Sequence, residues 1–251
     1  MQQQYIDINC DMGEGQTLAD CEQDALLMPY LSRCNIACGK HAGNEQTMFQ
    51  TLFNAKQHGI LCGAHPGYAD PDNFGRLSLA LSTDKIIDSV VAQIQHLTQI
   101  ATSLGQNLVH IKLHGALYND AEKSPELACA LCLAFAKHFS HLTIIGLAGG
   151  AMQTAAKKHD LTFLREGFMD RAYLANGQLA PRTLSGSVYK NVEQCIAQIL
   201  AMVQQHAFET LDGGRVSVQV DTLCLHGDSP IAHDVATTLT VALARVGYVV
   251  K

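Results

Sequence analysis

Short apolar segments alternate with longer amphipathic segments along most of this 251-residue chain. Such alternation is typical of βα units arranged around a parallel sheet. The short segments are rich in Ile, Leu and Val, as expected for strands that are buried on both faces. The pattern predicts seven strands: Tyr5–Asn9, Cys34–Ala37, Ile60–Ala64, Leu108–Leu113, Leu142–Leu147, Thr162–Glu166 and Val220–Leu225.

Helices are predicted between these strands. The clearest is Thr83–Leu104, whose Ile, Leu and Val side chains recur on one face and which is followed by Gly105. A helix of this kind packs its apolar face on the sheet, and a glycine commonly ends it. For the last helix, Ser229 is predicted as the N-cap. The other predicted helices are Asn44–His58, Pro125–Phe139, Asn191–His206 and Pro230–Val246.

Seven strands, each followed by a helix or a long loop, favour an α/β fold that closes into a barrel, although an open doubly wound sheet fits the same pattern. Because no linker or repeat divides the sequence, we expect one domain over residues 1–251. The segment Gly167–Val188 is interrupted by glycines and a proline, which predicts a long loop with functional content.

Charge and composition narrow the classes of partner. The net charge is −6 and lysines and arginines form no cluster, which argues against a nucleic-acid partner. The sequence has no apolar run of about 18 residues and no targeting pattern at Met1–Gln4, so we expect a cytoplasmic protein without a membrane partner. The odd count of nine cysteines predicts reduced thiols that pack in the core.

A small polar cluster, often containing glycine, follows most of the predicted strands. In parallel barrels and sheets the carboxyl ends of the strands open into one crevice, so these clusters are expected to converge there. Glycine lets the backbone turn sharply and approach a ligand closely. Four histidines lie in these clusters and are predicted to be functional: His41, His65, His114 and His226.

The same clusters contain carboxylates and cations. Carboxylates are candidates for a general base, and cations are candidates for binding a substrate carboxylate or a phosphate. Asp170 or Arg171 could instead form an ion pair across the rim of the barrel. The carboxylates are Asp11, Glu14, Glu166, Asp170 and Asp228, and the cations are Arg76, Lys112, Arg171 and Arg182.

Several standard catalytic motifs are absent from the sequence. It contains neither the phosphate-binding loop G-x-x-x-x-G-K-[ST] nor the dinucleotide motif G-x-G-x-x-G. It also lacks the serine-hydrolase motif G-x-S-x-G and the metalloprotease motif H-E-x-x-H. These absences exclude a Walker-type ATP site and a serine-hydrolase elbow at the level of motifs.

Taken together, the clusters resemble the LamB/YcsF family of 5-oxoprolinase A subunits, and the resemblance runs from about residue 7 to about residue 247. The family usually has an aromatic residue where Lys40 stands, Asp at Asn44, a second Arg at Leu77 and Pro at Leu113. The segments that carry the resemblance are Asn9–Glu14, Asn35–Gly43, Gly63–Gly67, Phe74–Arg76, His114–Asn119, Glu166–Tyr173, Pro181–Arg182 and Cys224–Asp228.

The resemblance implies a (β/α)7-type TIM-like barrel of the glycoside hydrolase/deacetylase group. It further implies that the chain is the A subunit of an ATP-dependent 5-oxoprolinase and acts with subunits B and C. This enzyme opens 5-oxo-L-proline to L-glutamate as ATP is hydrolysed to ADP and phosphate. Because the chain lacks a phosphate-binding loop, we expect ATP to act mainly through the partner subunits.

Roles follow for the clustered residues. Asp11, with a rim histidine, is predicted to orient and deprotonate the attacking water, while Lys112 and an arginine steady the substrate carboxylate or phosphoryl group. The predicted catalytic residues are Asp11, Glu14, His41, His65, Lys112 and His114. The predicted substrate-binding residues are Asn9, Arg76, Tyr118, Glu166, Asp170, Arg171, Arg182, His226 and Asp228.

Two alternatives stay open at this point. In the first, the chain is a metal-dependent deacetylase or amidohydrolase in which Asp11, His41 and His65 bind a divalent ion that activates water. In the second, the barrel is a non-catalytic scaffold that only binds a small molecule or holds its partners.

Overall fold

A computed structural model describes residues 4–251, and the first three residues, which belong to the N-terminal segment considered above, lie outside this range. Its strands are β1 (Gln4–Met12), β2 (Arg33–Ala37), β3 (Leu61–His65), β4 (His110–Lys112), β5 (Thr143–Leu147), β6 (Phe163–Phe168), β7 (Ala207–Glu209), β8 (Arg215–Ser217), β9 (Thr222–His226) and β10 (Tyr248–Val250). Its helices are α1 (Leu18–Ala25), α2 (Glu45–His58), α3 (Thr83–Ser103), α4 (Gly115–Lys123), α5 (Pro125–His138), α6 (Ala151–Lys158), α7 (Val192–Gln205) and α8 (Ala232–Arg245).

Parallel strands close into a barrel in the order β1-β2-β3-β4-β5-β6-β9. The closing pair is β1 with β9, in which Asp7 lies opposite Thr222 and Asp11 opposite His226. The predicted seven-stranded α/β barrel is therefore confirmed, and the open doubly wound sheet is excluded. Strand β10 adds to the start of β1, outside the closed ring, and β7 pairs with β8 in a separate antiparallel hairpin.

The long helix α3 shows why the predicted helices form. Its buried face includes Ile86, Val90, Ile94 and Leu97, each at most 6% exposed. Full burial of one such side chain stabilises the fold by about 1.5–3 kcal/mol. After the helix, Gly105 takes a left-handed backbone conformation with φ of 64°, which glycine adopts without strain.

The sequence pattern missed the shorter elements. Helices α1, α4 and α6 are eight or nine residues long, too short for a clear apolar repeat over several turns. The prediction of Ser229 as an N-cap is wrong, because α8 begins at Ala232 and its N-cap residue is Ile231. Residues 227–231 form a turn instead, in which the Ser229 carbonyl accepts from the Ala232 N–H.

Two further predictions concern the loop after β6 and the cysteines. Beyond Phe168 the chain runs to α7 without a regular helix or strand, as predicted, and it is held by isolated bridges such as Arg171 with Val188. All nine cysteines are free thiols, and eight of them are buried. Within residues 4–251, no helix combines the length and apolar character needed to cross a membrane.

Candidate functional site

A pocket of about 420 Å³ opens at the carboxyl ends of the barrel strands. Its wall comes from the loops after β1, β3, β4, β6 and β9, as the positions of the polar clusters predicted. Among the predicted site residues, Asn9, His41, Glu166 and Asp170 lie behind this wall. Those that line it are Asp11, Glu14, His65, Arg76, Lys112, His114, Tyr118, Arg171, Arg182, His226 and Asp228.

Lys112 lies between two carboxylates at the base of the pocket. Its Nζ is 2.9 Å from Asp11 Oδ1 and 2.9 Å from Glu166 Oε1, and the side chain is only 2% exposed. Burial by itself lowers the pKa of Lys112, but the charge of Asp11 and those of its other neighbours raise it well above its ordinary value. The ammonium group is therefore charged and held by the protein itself, which leaves it little freedom to bind a substrate carboxylate as predicted.

The carboxylate of Asp11 is also charged. Burial by itself raises its pKa, but the neighbouring His65 and Lys112 lower it more strongly, to well below its ordinary value. Buried amide side chains also hold Asp11 through hydrogen bonds. Asn35 Nδ2 donates to Asp11 Oδ1 and to Asn9 Oδ1, each at 2.8 Å. Because Oδ1 is occupied in this way, Oδ2 is the oxygen of Asp11 that faces His65, at 3.4 Å.

Two residues of this support were not predicted as site residues. Asn35 lies opposite Asp11 in the register of β2 with β1, and His110 Nε2 lies 2.7 Å from Asn35 Oδ1. The signal in the sequence was a polar amide within an apolar strand, but only strand pairing shows that it reaches Asp11. Cys224 was also missed, although its Sγ lies 3.0 Å from Lys112 Nζ.

Three histidines and Glu14 pack together beside Asp11. His65 Nε2 is 3.0 Å from His114 Nδ1, which is in turn 3.1 Å from Glu14 Oε1. The ring of His41 stacks on that of His114 with centroids 3.8 Å apart, and its Nε2 is 3.4 Å from Glu14 Oε1. Burial lowers the pKa of His41 to about 4, so this imidazole is neutral at pH 7.

Donor atoms that could hold a metal ion lie within 4.8 Å of one another in three groups in the described part of the chain. The predicted trio of Asp11, His41 and His65 is not one of them, because His41 stacks behind His114. The structure brings His114 to Asp11 and His65 in place of His41. The groups are Asp11–His65–His114, Asp11–Cys224–His226 and Glu14–His41–His114.

The loop after β6 forms the cationic side of the pocket. Asp170 Oδ1 lies 2.7 Å from His226 Nδ1, so this carboxylate, rather than Arg171, has a side-chain partner across the rim. The buried guanidinium group of Arg171 donates to the backbone carbonyls of Ala180 and Ser187. Burial and the neighbouring Arg182 lower the pKa of Arg171 to about 10, where it still carries its charge at pH 7.

Other residues of the wall lie at the mouth of the pocket or on α4. Arg76 and Asp228 form an ion pair of 2.7 Å across the opening, and both side chains are about half exposed. Tyr118 and Lys123 line the pocket from α4. Lys123 was missed because α4 was not predicted, and only the helix places Lys123 on the same face as Asn119 and Asp120, which also line the pocket.

The four departures from the family pattern have different surroundings. Lys40 and Leu77 are exposed, whereas Leu113 is buried and lines the pocket. Asn44 is the N-cap of α2, where its side chain accepts from the Thr47 N–H. Asp would cap the helix in the same way, which explains why either residue serves at this position.

Known sequences match nearly the whole chain. Residues 6–251 match the model of the LamB/YcsF family. The chain is 42% identical to the 5-oxoprolinase A subunit of Bordetella pertussis over 246 residues, which covers 98% of each chain. It is 43% identical to the 5-oxoprolinase A subunit of Erwinia tasmaniensis over 242 residues, which covers 96% of this chain and 97% of that one.

Solved structures show the same fold. The lactam utilization protein of Thermus thermophilus superposes with a TM-score of 0.90 and is 38% identical, covering 98% of this chain and 99% of that one. A mutant of the peptidoglycan deacetylase PdaC of Bacillus subtilis superposes with a TM-score of 0.50 at 12% identity, covering 99% of this chain and 88% of that one. The second likeness confirms the deacetylase-like type of barrel and concerns the fold alone. By its sequence and its barrel, the chain belongs to the LamB/YcsF family.

Proposed function

We propose that this chain is the A subunit of an ATP-dependent 5-oxoprolinase and carries out the hydrolytic opening of 5-oxoproline to L-glutamate. The relatives that are named as A subunits of 5-oxoprolinase support this proposal, since they match over nearly their whole length. The observation that carries it is the pocket itself. The cavity is lined on one side by the carboxylate of Asp11 and the imidazoles of His65 and His114, and elsewhere by Arg171 and Arg182.

The two sides of the pocket suit the two ends of this substrate. 5-Oxoproline has a carboxylate and a neutral lactam, and arginine binds carboxylates through paired hydrogen bonds. Arg171 and Arg182 would take the carboxylate, because neither forms a carboxylate ion pair within residues 4–251. The lactam carbonyl would then face Asp11 and the histidines.

The chemistry needs an activated carbonyl, because a five-membered lactam is a stable amide with little ring strain. Phosphorylation of the lactam oxygen would supply this activation, and we assign phosphoryl transfer from ATP to the partner subunits B and C. In the pocket, Asp11 would orient a water molecule and the imidazole of His65 or His114 would take its proton. The water oxygen then bonds to the phosphorylated lactam carbon, and the ring C–N bond breaks as the imidazolium returns the proton to the ring nitrogen, which leaves as the amine of γ-glutamyl phosphate. A second water molecule hydrolyses this acyl phosphate to L-glutamate and phosphate.

Reconstitution with the partner subunits tests this function. Glutamate formation from 5-oxoproline should require all subunits and ATP, and Asp11→Asn should lower the rate by about 10²–10⁴-fold. The matched control is Asp88→Asn, an exposed carboxylate of α3, which should leave the rate unchanged. An unaffected Asp11→Asn complex would support a non-catalytic scaffold, and ATP hydrolysis by the isolated chain would contradict the division of labour.

A second candidate function is hydrolysis of an acyclic amide, such as an N-acetyl group, without ATP. The observation that favours it is the group Asp11–His65–His114, whose donor atoms suit a hydrolytic metal ion. Acetate release from N-acetylated sugars and amino acids by the isolated chain would support this second activity. If only the full complex with ATP is active, and it forms glutamate, amide hydrolysis without ATP is excluded as the main function.

A further inference from the structure

The hydrogen bonds of His65 and His114 determine which ring nitrogens carry hydrogen. His65 Nδ1 lies 2.8 Å from the carbonyl oxygen of Lys112, and His114 Nε2 lies 2.9 Å from that of Phe74. A carbonyl oxygen only accepts, so each of these nitrogens is a donor. In the neutral rings, His65 Nε2 and His114 Nδ1 are therefore the nitrogens with free lone pairs.

These two lone pairs point toward each other and toward two carboxylates. His65 Nε2 and His114 Nδ1 are 3.0 Å apart. Asp11 Oδ2 is 3.4 Å from His65 Nε2, while Glu14 Oε1 is 3.1 Å from His114 Nδ1 and 4.0 Å from His65 Nε2. Glu14 Oε1 is buried and has no hydrogen-bond partner within the described chain. With both imidazoles neutral, four acceptors lie at these distances and repel one another, and either a shared proton or a metal ion between them would relieve the repulsion.

We infer that His65 Nε2, His114 Nδ1 and Asp11 Oδ2 form a binding site for a divalent transition-metal ion such as Zn²⁺, with Glu14 Oε1 at its edge. A tetrahedral ion with metal–ligand bonds of about 2.0–2.1 Å holds its donor atoms about 3.3 Å apart. The distance from His65 Nε2 to His114 Nδ1, 3.0 Å, and that from His65 Nε2 to Asp11 Oδ2, 3.4 Å, are close to this value. Binding of this ion does not depend on the proposed function.

The surroundings are those of a metal site. Histidines that bind a metal usually donate their other N–H to a carbonyl or carboxylate, which fixes the ring, as His65 and His114 do. Asp11 is fixed through Oδ1 by Lys112 and Asn35. These contacts hold all three ligands in place before any ion arrives, so little ordering would oppose its binding.

The local charge also suits a divalent cation. Asp11, Glu14 and Glu166 are three carboxylates around a single ammonium group, that of Lys112. Charged in this way, the cluster has an excess of two negative charges. A divalent ion would neutralise this excess among side chains that are at most 15% exposed, where charges interact more strongly than in water. Imidazole and carboxylate together favour ions such as Zn²⁺ over Mg²⁺ or Ca²⁺.

Metal binding to the isolated chain tests this inference. After chelation and dialysis, the protein is titrated with Zn²⁺ by calorimetry and with Co²⁺ by visible absorption. We expect one tight equivalent, absorption bands of four- or five-coordinate Co²⁺, and a higher midpoint of thermal unfolding with Zn²⁺. Loss of a ligand in Asp11→Asn or His114→Ala should weaken binding by more than about 100-fold.

Controls separate this site from other possibilities. His96→Ala removes an exposed histidine of α3 and should bind Zn²⁺ as the wild type does. Asp11→Asn keeps the side-chain shape, so it tests the site if His114→Ala does not fold, and circular dichroism verifies each fold. Unchanged Zn²⁺ affinity in both ligand variants would overturn the inference. ¹⁵N NMR of the His65 and His114 imidazoles provides a second test. Spectra showing that the two rings share one proton, and that Zn²⁺ does not change this, would also overturn the inference.

Discussion

Replacement of Lys112 by methionine is predicted to destabilise the protein strongly. Methionine fills a similar volume but leaves Asp11 and Glu166 buried without the ammonium group that lies 2.9 Å from each. Removing one partner of a buried ion pair typically costs about 3–5 kcal/mol, because the remaining charge is uncompensated. Since whole domains are stable by about 5–15 kcal/mol, Lys112→Met should lose a large part of the free energy of unfolding.

Urea denaturation at pH 7 measures this loss as a lower midpoint with an unchanged slope. The double variant Lys112→Met/Glu166→Gln should recover part of the loss, since it removes one of the two uncompensated charges. Acidity gives a second check. The pKa of Asp11 is lowered in the folded state, so its stabilising contribution is present above about pH 4 and is lost as the pH falls below it.

The difference between wild type and Lys112→Met should therefore shrink as the pH falls below about 4. A Lys112→Met protein within about 1 kcal/mol of wild type at pH 7 would refute the reasoning, because surface ion pairs are of that size. A double variant less stable than Lys112→Met would refute it as well.

Two further predictions concern His41 and Arg182. Burial lowers the pKa of His41 to about 4, so wild type should lose about 3 kcal/mol of stability between pH 7 and pH 4 as the unfolded chain takes up the proton first. Urea denaturation at pH 7 and pH 4 should show that His41→Phe loses about 3 kcal/mol less stability than wild type over this range, whereas the exposed control His96→Ala loses as much as wild type. An equal loss of stability in His41→Phe and wild type would contradict the lowered pKa of His41. If the proposed function holds, Arg182→Met should raise KM for 5-oxoproline about tenfold or more with a smaller change in kcat. The control Arg245→Met, at the end of α8, should change neither constant. An unaltered KM for Arg182→Met would show that Arg182 does not bind the substrate.

Strand positions were predictable because they depend on local sequence. A run such as Leu142–Leu147 is apolar whatever it packs against, and β5 covers Thr143–Leu147. The rim position of the polar clusters followed from the same pattern, since residues after parallel strands share one edge of the sheet. Helix α4 was missed because it begins at Gly115, within a polar cluster, and lasts only nine residues.

The partners of each site residue were not predictable in the same way. His41 and His114 are both rim histidines next to glycine, yet His114 faces Asp11 and His65, while His41 stacks behind it. Lys112 was predicted to contact substrate, but Glu166 and Asp11 hold it from both sides. Which side chain contacts which depends on strand register and loop packing, and these join residues from 49 to 101 positions apart.

The sequence by itself therefore determined the class of fold, the edge of the barrel at which the pocket lies and eleven of the residues that line it, because apolar periodicity and residues at strand ends are local properties. Only the tertiary structure decided that β1 pairs with β9 to close the ring, that Asn35 and Lys112 hold one oxygen of Asp11, and that two imidazoles direct their lone pairs at each other. The physical reason is that these contacts arise from packing between distant segments, where a shift of one residue in register would turn each side chain to the other face of its strand.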